Sequence, residues 1–151
     1  MTHGKPITIL LVEDDQAHAE IVRRNLSHSR VANQIHHVMD GQAALDYLFG
    51  GVGQPGGPES AAPDLILLDL RLPKVDGLEV LRRIKGDART RRIPVVVLTT
   101  SAAEADMLGA YDNGACSFLV KPLDFEKFTC LMKAFGFYWL AWNRFPDGET
   151  P

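Results

Sequence analysis

Four stretches of this 151-residue chain set reactive polar side chains directly after apolar runs. Ile7-Thr8-Ile9-Leu10-Leu11-Val12 stops at Glu13-Asp14-Asp15, and Leu65-Ile66-Leu67-Leu68 stops at Asp69. Pro94-Val95-Val96-Val97-Leu98 stops at Thr99, and Ser117-Phe118-Leu119-Val120 stops at Lys121. Carboxylates at close range repel one another unless a cation sits among them. An all-oxygen site with few carboxylates favours Mg²⁺, which keeps several waters and leaves room for a phosphoryl oxygen, with Mn²⁺ as a substitute. A carboxylate can itself attack phosphorus and become an aspartyl phosphate. A metal and an ammonium such as Lys121 would neutralise charge on the transferred oxygens, and a hydroxyl such as Thr99 would bond one of them. Every group needed to move a phosphoryl group onto an aspartate is present, but these residues alone do not say which aspartate is attacked.

The elements that must position them follow from periodicity. The run at 7–12 is apolar at nearly every position, as in a central parallel strand buried on both faces. Residues 17–29 have helical spacing, with Ala17, Ile21, Val22 and Leu26 on one face. Gln34 to Val38 is a more polar strand suited to a sheet edge. Asp40 is placed to cap a helix with Ala43, Ala44, Tyr47 and Leu48 as its stripe. Gly50 to Pro63 is a long Gly- and Pro-rich surface loop. Residues 77–85 and 103–113 are helical, and Gly114 stops the latter. Asp124 caps a last helix running from Phe125 toward Trp142. A βα unit repeated five times with short connections means parallel crossovers and a doubly wound α/β sheet. In such a sheet, sites form at the carboxyl ends of the strands, where Glu13, Asp14, Asp69, Thr99 and Lys121 all fall.

Val12-Glu13-Asp14-Asp15, the block from Leu68 through Asp69 and Pro73 to Gly77, Leu98-Thr99-Thr100 and Val120-Lys121-Pro122 resemble the signature blocks of response-regulator receiver domains. The resemblance spans about residues 7 to 135, and the blocks come in the right order. It implies a flavodoxin-like (βα)5 fold with strand order 2-1-3-4-5. It implies that Asp69 is the phosphoacceptor, that Asp14 ligates Mg²⁺ directly, and that Glu13 acts mainly through bound water. The backbone carbonyl of Arg71 is implied as a third protein ligand. Lys121 is implied to pair with the phosphoryl group, aimed by a cis peptide to Pro122. Thr99 is the implied switch hydroxyl and Phe118 the aromatic that turns inward on activation. Asp15 has at most a supporting role. Arg71 and Ser101 depart from the commonest residues at variable positions flanking the attacking water, and Phe118 stands where a tyrosine is common. The Gly/Pro insertion, the Leu98-Thr99-Thr100-Ser101 run and the aromatic C-terminus resemble stand-alone regulators paired with bacterial phytochromes. The implied partners are a sensor histidine kinase, a bacteriophytochrome among them, and a histidine phosphotransfer protein or other protein target.

Three rival readings fit less well. An aspartyl phosphatase would carry a second aspartate two residues after Asp69, where Arg71 stands. A flavin carrier on the same scaffold needs a Gly-, Ser- or Thr-rich loop after the first strand, where Glu13-Asp14-Asp15 would repel phosphate. A degenerate scaffold would lack one of the key residues, and all are present.

The net charge of −3 and the scattered basic residues argue against a nucleic-acid surface. No apolar run reaches membrane-spanning length and no signal-peptide pattern opens the chain, so a cytoplasmic location is expected. Cys116 and Cys130 read as reduced, mostly buried thiols. His36 and His37, adjacent on a strand, point to opposite faces and cannot chelate together. Arg82-Arg83 and the basic run 89–92 read as solvated surface. The last helix is richer in aromatics than one core-facing side needs. Phe135, Tyr138, Trp139 and Trp142 are therefore expected to form a homodimer interface. Residues 1–145 are expected to be one domain with an extended aromatic helix, and 146–151 a short tail.

Overall fold

Strands without polar interruption must be covered on both faces, and the computed structural model places them so. It describes residues 7–27, 33–50 and 62–142. In chain order the elements are β1 (Ile7–Val12), α1 (Gln16–Ser27), β2 (Asn33–Val38), α2 (Gly41–Phe49), β3 (Leu65–Leu68) and α3 (Gly77–Lys85). They continue with β4 (Val95–Thr99), α4 (Glu104–Asp112), β5 (Ser117–Val120), α5 (Phe125–Gly136) and a π-helical segment, Phe137–Trp142. The five strands form one parallel sheet in the order β2-β1-β3-β4-β5, the flavodoxin-like order expected.

The alternation of strand side chains divides the core in two. Leu10, Val12, Ile66, Leu68, Val95 and Val97 face α2, α3 and α4, where Ala44, Leu48, Leu81, Ile84 and Ala110 meet them. Ile9, Leu11, Leu65, Leu67, Val96 and Leu98 face α1 and α5, against Ala19, Val22, Leu26, Phe128, Met132 and Phe135. Burying each of the larger of these side chains, from valine to phenylalanine, contributes about 1.5–3 kcal/mol relative to leaving it exposed. β2 sits at the edge, and its two histidines diverge as the strand period requires. His36 stacks on Tyr47 with ring centroids 4.3 Å apart, while His37 Nε2 lies 2.7 Å from the Glu13 carbonyl oxygen.

Caps set the helix starts. Asp40 accepts from the Ala43 amide at 2.7 Å, and Asp124 accepts from the Glu126 and Lys127 amides at 2.7 and 3.1 Å. Asp15 does the same for α1, taking the His18 amide at 3.1 Å. That cap is the structural use of the third acidic residue in the cluster.

Three expectations are corrected. Ala17 is exposed and Ala19 takes its place on the buried stripe of α1. Cys116 and Cys130 are free, as expected, but exposed; the buried positions of α5 fall at Phe128, Met132 and Phe135, which leaves Cys130 on the far side of the helix. The last helix is not continuous α. It widens after Gly136, and the wider turn sets Leu140, five residues beyond Phe135, on the buried side. Phe135 is thereby core rather than surface and is unavailable to a dimer interface, whereas Phe137 and Tyr138 are 66% and 56% exposed. Residues 51–61 of the Gly/Pro-rich loop at 50–63, the tail from 146 and the Trp142 side chain lie outside the described residues.

Candidate functional site

Register brings the polar strand ends together. Val12 pairs with Leu68 across β1 and β3, so Glu13 and Asp69 leave the sheet side by side, and the Asp69 amide donates to the Val12 carbonyl at 3.1 Å. Thr99 pairs with Val120 across β4 and β5, so the next residue, Lys121, leaves the sheet beside it; its amide donates to the Thr99 carbonyl at 2.7 Å. Glu13, Asp69, Thr99 and Lys121 are all buried, an uncommon fate for charged side chains unless they are paired.

Lys121 is the hub. Its ammonium is 3.1 Å from Asp69 Oδ2, forms an ion pair with Glu13, and lies 3.1 Å from His18 Nδ1. Burial pushes the Glu13 carboxyl up from its ordinary 4.5 to about 7, although Lys121 pulls the other way. Glu13 Oε2 also accepts from the Asp15 amide at 3.0 Å. Asp14, in contrast, is exposed at the mouth of the site. One carboxylate oxygen from each of Glu13, Asp14 and Asp69 lies within 4.8 Å of the others. Such an all-oxygen set fits a hard divalent cation of the Mg²⁺ or Mn²⁺ kind.

The loop after β3 holds Asp69 in place. The Arg71 amide donates to Asp69 Oδ1 at 3.2 Å. Gly77, the first residue of α3, donates to the Leu70 carbonyl at 2.9 Å. A Cβ on Gly77 would stand 2.4 Å from the Asp69 carbonyl oxygen, so only glycine lets α3 approach this closely. Lys74 turns the loop with φ of 70°.

Of the predicted residues, Glu13, Asp14, Asp69 and Lys121 come together side chain to side chain, and one expectation at this site is corrected. No cis peptide occurs among the described residues, so the Lys121–Pro122 bond is trans rather than cis. An X-Pro bond favours trans by about 0.5–1 kcal/mol, and the trans chain already delivers the ammonium to Asp69. Thr99 is fully buried, with its Oγ accepting from the Ser101 amide at 3.3 Å. Phe118 is half-buried on β5 and packs against the core layer that faces α4.

Two side chains of the site went unremarked in the sequence. His18 reaches Lys121 from α1; it lies one helical turn after Asp15, and that spacing was the available signal. Asp106, buried in the first turn of α4, accepts from the Arg71 guanidinium and from the Ser101 hydroxyl. It ties the loops after β3 and β4 to one carboxylate, a link between residues 35 apart in sequence that no local pattern announces.

The site is thus the carboxyl end of an open parallel sheet, where close carboxylates, a buried lysine and a buried hydroxyl meet. Residues 9–133 match the family model described as response regulator receiver domain, and the chain belongs to that family. It is 48% identical over 141 residues to the probable methanogenesis regulatory protein FilR2 of Methanothrix harundinacea, covering 93% of this chain and 88% of the other. It is 40% identical to response regulator Rcp1 of Synechocystis sp., covering 93% and 94%. The Mn²⁺-bound form of Rcp1 superposes with a TM-score of 0.86 at 38% identity, over 93% of this chain and 99% of that one. The phosphorylated cyanobacterial phytochrome response regulator RcpA gives a TM-score of 0.88 at 37% identity, covering 94% and 99%. No helix among the described residues is long and apolar enough to cross a membrane.

Proposed function

We propose that this chain is a response-regulator receiver domain that accepts a phosphoryl group on Asp69 from a sensor histidine kinase. The observation that carries the reading is the buried Lys121 ammonium, 3.1 Å from Asp69 Oδ2, beside three mutually close carboxylates. An Asp69 oxygen bonds phosphorus as the bond from phosphorus to the kinase imidazole breaks, and that nitrogen keeps the electron pair and takes up a proton. Lys121 neutralises charge on the transferred oxygens, and the Thr99 hydroxyl offers one of them a hydrogen bond. Glu13, Asp14 and Asp69, with the Arg71 carbonyl, are the residues that would hold Mg²⁺. The metal, when bound, supplies further positive charge to the phosphoryl oxygens. The chain thus catalyses only its own phosphorylation and dephosphorylation, and its output is a changed protein surface in which Thr99 and Phe118 take part.

Two finer assignments follow. The kinase is a bacteriophytochrome acting in the cytoplasm, supported by the likeness to a phytochrome response regulator; a histidine phosphotransfer protein is the alternative recipient. The chain forms a homodimer through Phe137, Tyr138 and Trp139, since two of these expose large apolar surface. The test is transfer of labelled phosphate from a purified bacteriophytochrome kinase. Label should move to the wild type with Mg²⁺ present and not to Asp69→Asn. Label on both proteins would defeat the assignment of Asp69.

A further inference from the structure

Lysine carries three N–H donors and no acceptor. Around Lys121 the structure supplies three acceptors: Glu13, Asp69 Oδ2 at 3.1 Å and His18 Nδ1 at 3.1 Å. Two are carboxylates that a metal and a phosphoryl group would also draw upon. The third is a neutral ring nitrogen that the proposed reaction does not otherwise use.

We propose that His18 is a positioning residue for phosphoryl transfer, its unprotonated Nδ1 holding the Lys121 ammonium in place beside Asp69. This rests on the reading of Asp69 as phosphoacceptor. Because an ammonium only donates, Nδ1 must present its lone pair, and the ring proton sits on Nε2. Nε2 lies 3.8 Å from Asp15 Oδ2, the carboxylate that also caps the helix at the His18 amide. The ring meets Phe128 of α5 edge-on, with centroids 5.5 Å apart and planes at 67°, and Phe128 is itself fully buried. Backbone cap, Asp15 and Phe128 together fix the imidazole before any substrate arrives. Partial burial, and then the positive charge of Lys121, hold its pKa below the ordinary 6.5, which keeps the accepting form in place at neutral pH.

The role follows from what changes in the site. When the Asp69 oxygen becomes part of an acyl phosphate, that carboxylate loses its charge and its hold on the ammonium. Lys121 must then exchange a carboxylate oxygen for a phosphoryl oxygen while its Nζ stays where the transferred group passes. His18 is the acceptor that persists through the exchange. Without it, the third N–H has no partner, and the ammonium is free to swing onto Glu13, with which it already pairs.

Two variants separate the acceptor from the packing. His18→Asn keeps an acceptor oxygen one bond beyond Cγ, on the branch where Nδ1 stood. His18→Leu keeps apolar contact with Phe128 and removes the acceptor. The rate of mass gain from acetyl phosphate with Mg²⁺ should fall about tenfold in His18→Leu, the usual consequence of losing a hydrogen bond to a charged group. His18→Asn should stay within about threefold of wild type on the same scale, with matching thermal midpoints for the two variants. Wild-type rate in His18→Leu, or equal slowing in both, would overturn the proposal. Nitrogen-15 NMR of the unphosphorylated protein gives a second readout: the Nε2–H tautomer is expected, and the Nδ1–H tautomer would overturn the contact. If the wild type takes up no phosphoryl group, the assignment of Asp69 fails and this role with it, while the tautomer still decides the His18–Lys121 contact.

Discussion

Replacing Lys121 with methionine tests the electrostatics on which the site depends. The side chain has a similar length and no charge, so packing is largely kept. What is lost is the counter-charge to two carboxylates that are 1% (Glu13) and 6% (Asp69) exposed. Glu13 already stands at about 7, and each further unit upward corresponds to about 1.4 kcal/mol. Asp69 loses a charge-assisted hydrogen bond of about 1.5–3 kcal/mol. For one further unit at Glu13 the two losses together come to about 3–4 kcal/mol at about pH 8, in the range for breaking a buried ion pair. Its pH dependence has a definite sign. The folded pKa of Glu13 is raised above its ordinary 4.5, so the stability associated with this group is complete below 4.5 and is lost as pH rises through the folded value. The deficit of Lys121→Met relative to wild type should shrink at about pH 5, where folded Glu13 keeps its proton. Urea unfolding in chelator at the two pH values, with unchanged m, measures this directly. A deficit below about 1 kcal/mol at pH 8, or the same deficit at both pH values, would refute the reasoning.

Mg²⁺ affinity should fall as pH drops below about 7, approaching tenfold per unit, because the proton and the metal compete for Glu13; titration calorimetry at several pH values would show it, and a flat profile would remove Glu13 from the metal site. Gly77→Ala should destabilise by about 1–3 kcal/mol or more and impair phosphorylation, since the new Cβ meets the Asp69 carbonyl oxygen at 2.4 Å; equilibrium unfolding and intact mass check both. Phe135→Ala should cost about 3–5 kcal/mol as a core truncation, whereas Phe137→Ser with Tyr138→Ser should leave the fold stable and shift light scattering from dimer to monomer. An unchanged dimer would exclude that surface.

The sheet was legible because three of its strands, β1, β3 and β4, are apolar enough to admit one placement. The ends of those strands, together with Lys121 after β5, carried the site with them. Asp69, Glu13 and Lys121 came together because parallel register converts a common position at strand ends into a common position in space. His18 and Asp106 were not legible, since each acts through a partner distant in sequence and each reads locally as an ordinary helix residue. The C-terminal aromatics misled in part. Helical spacing alone cannot distinguish Phe135, which packs on the α1 side of the core, from Tyr138, which does not. The widening of the helix after Gly136 resets the periodicity on which that reading relied. The peptide before Pro122 carried no local signal for its isomer, and the structure makes it trans.

The most direct test of the account is the intact mass of purified protein after incubation with acetyl phosphate, with Mg²⁺ or with chelator, alongside Asp69→Asn. The wild type should gain one phosphoryl group, and the gain should disappear both with chelator and in the variant. A gain that survives loss of Asp69, or a folded wild type that gains nothing with Mg²⁺, would contradict it.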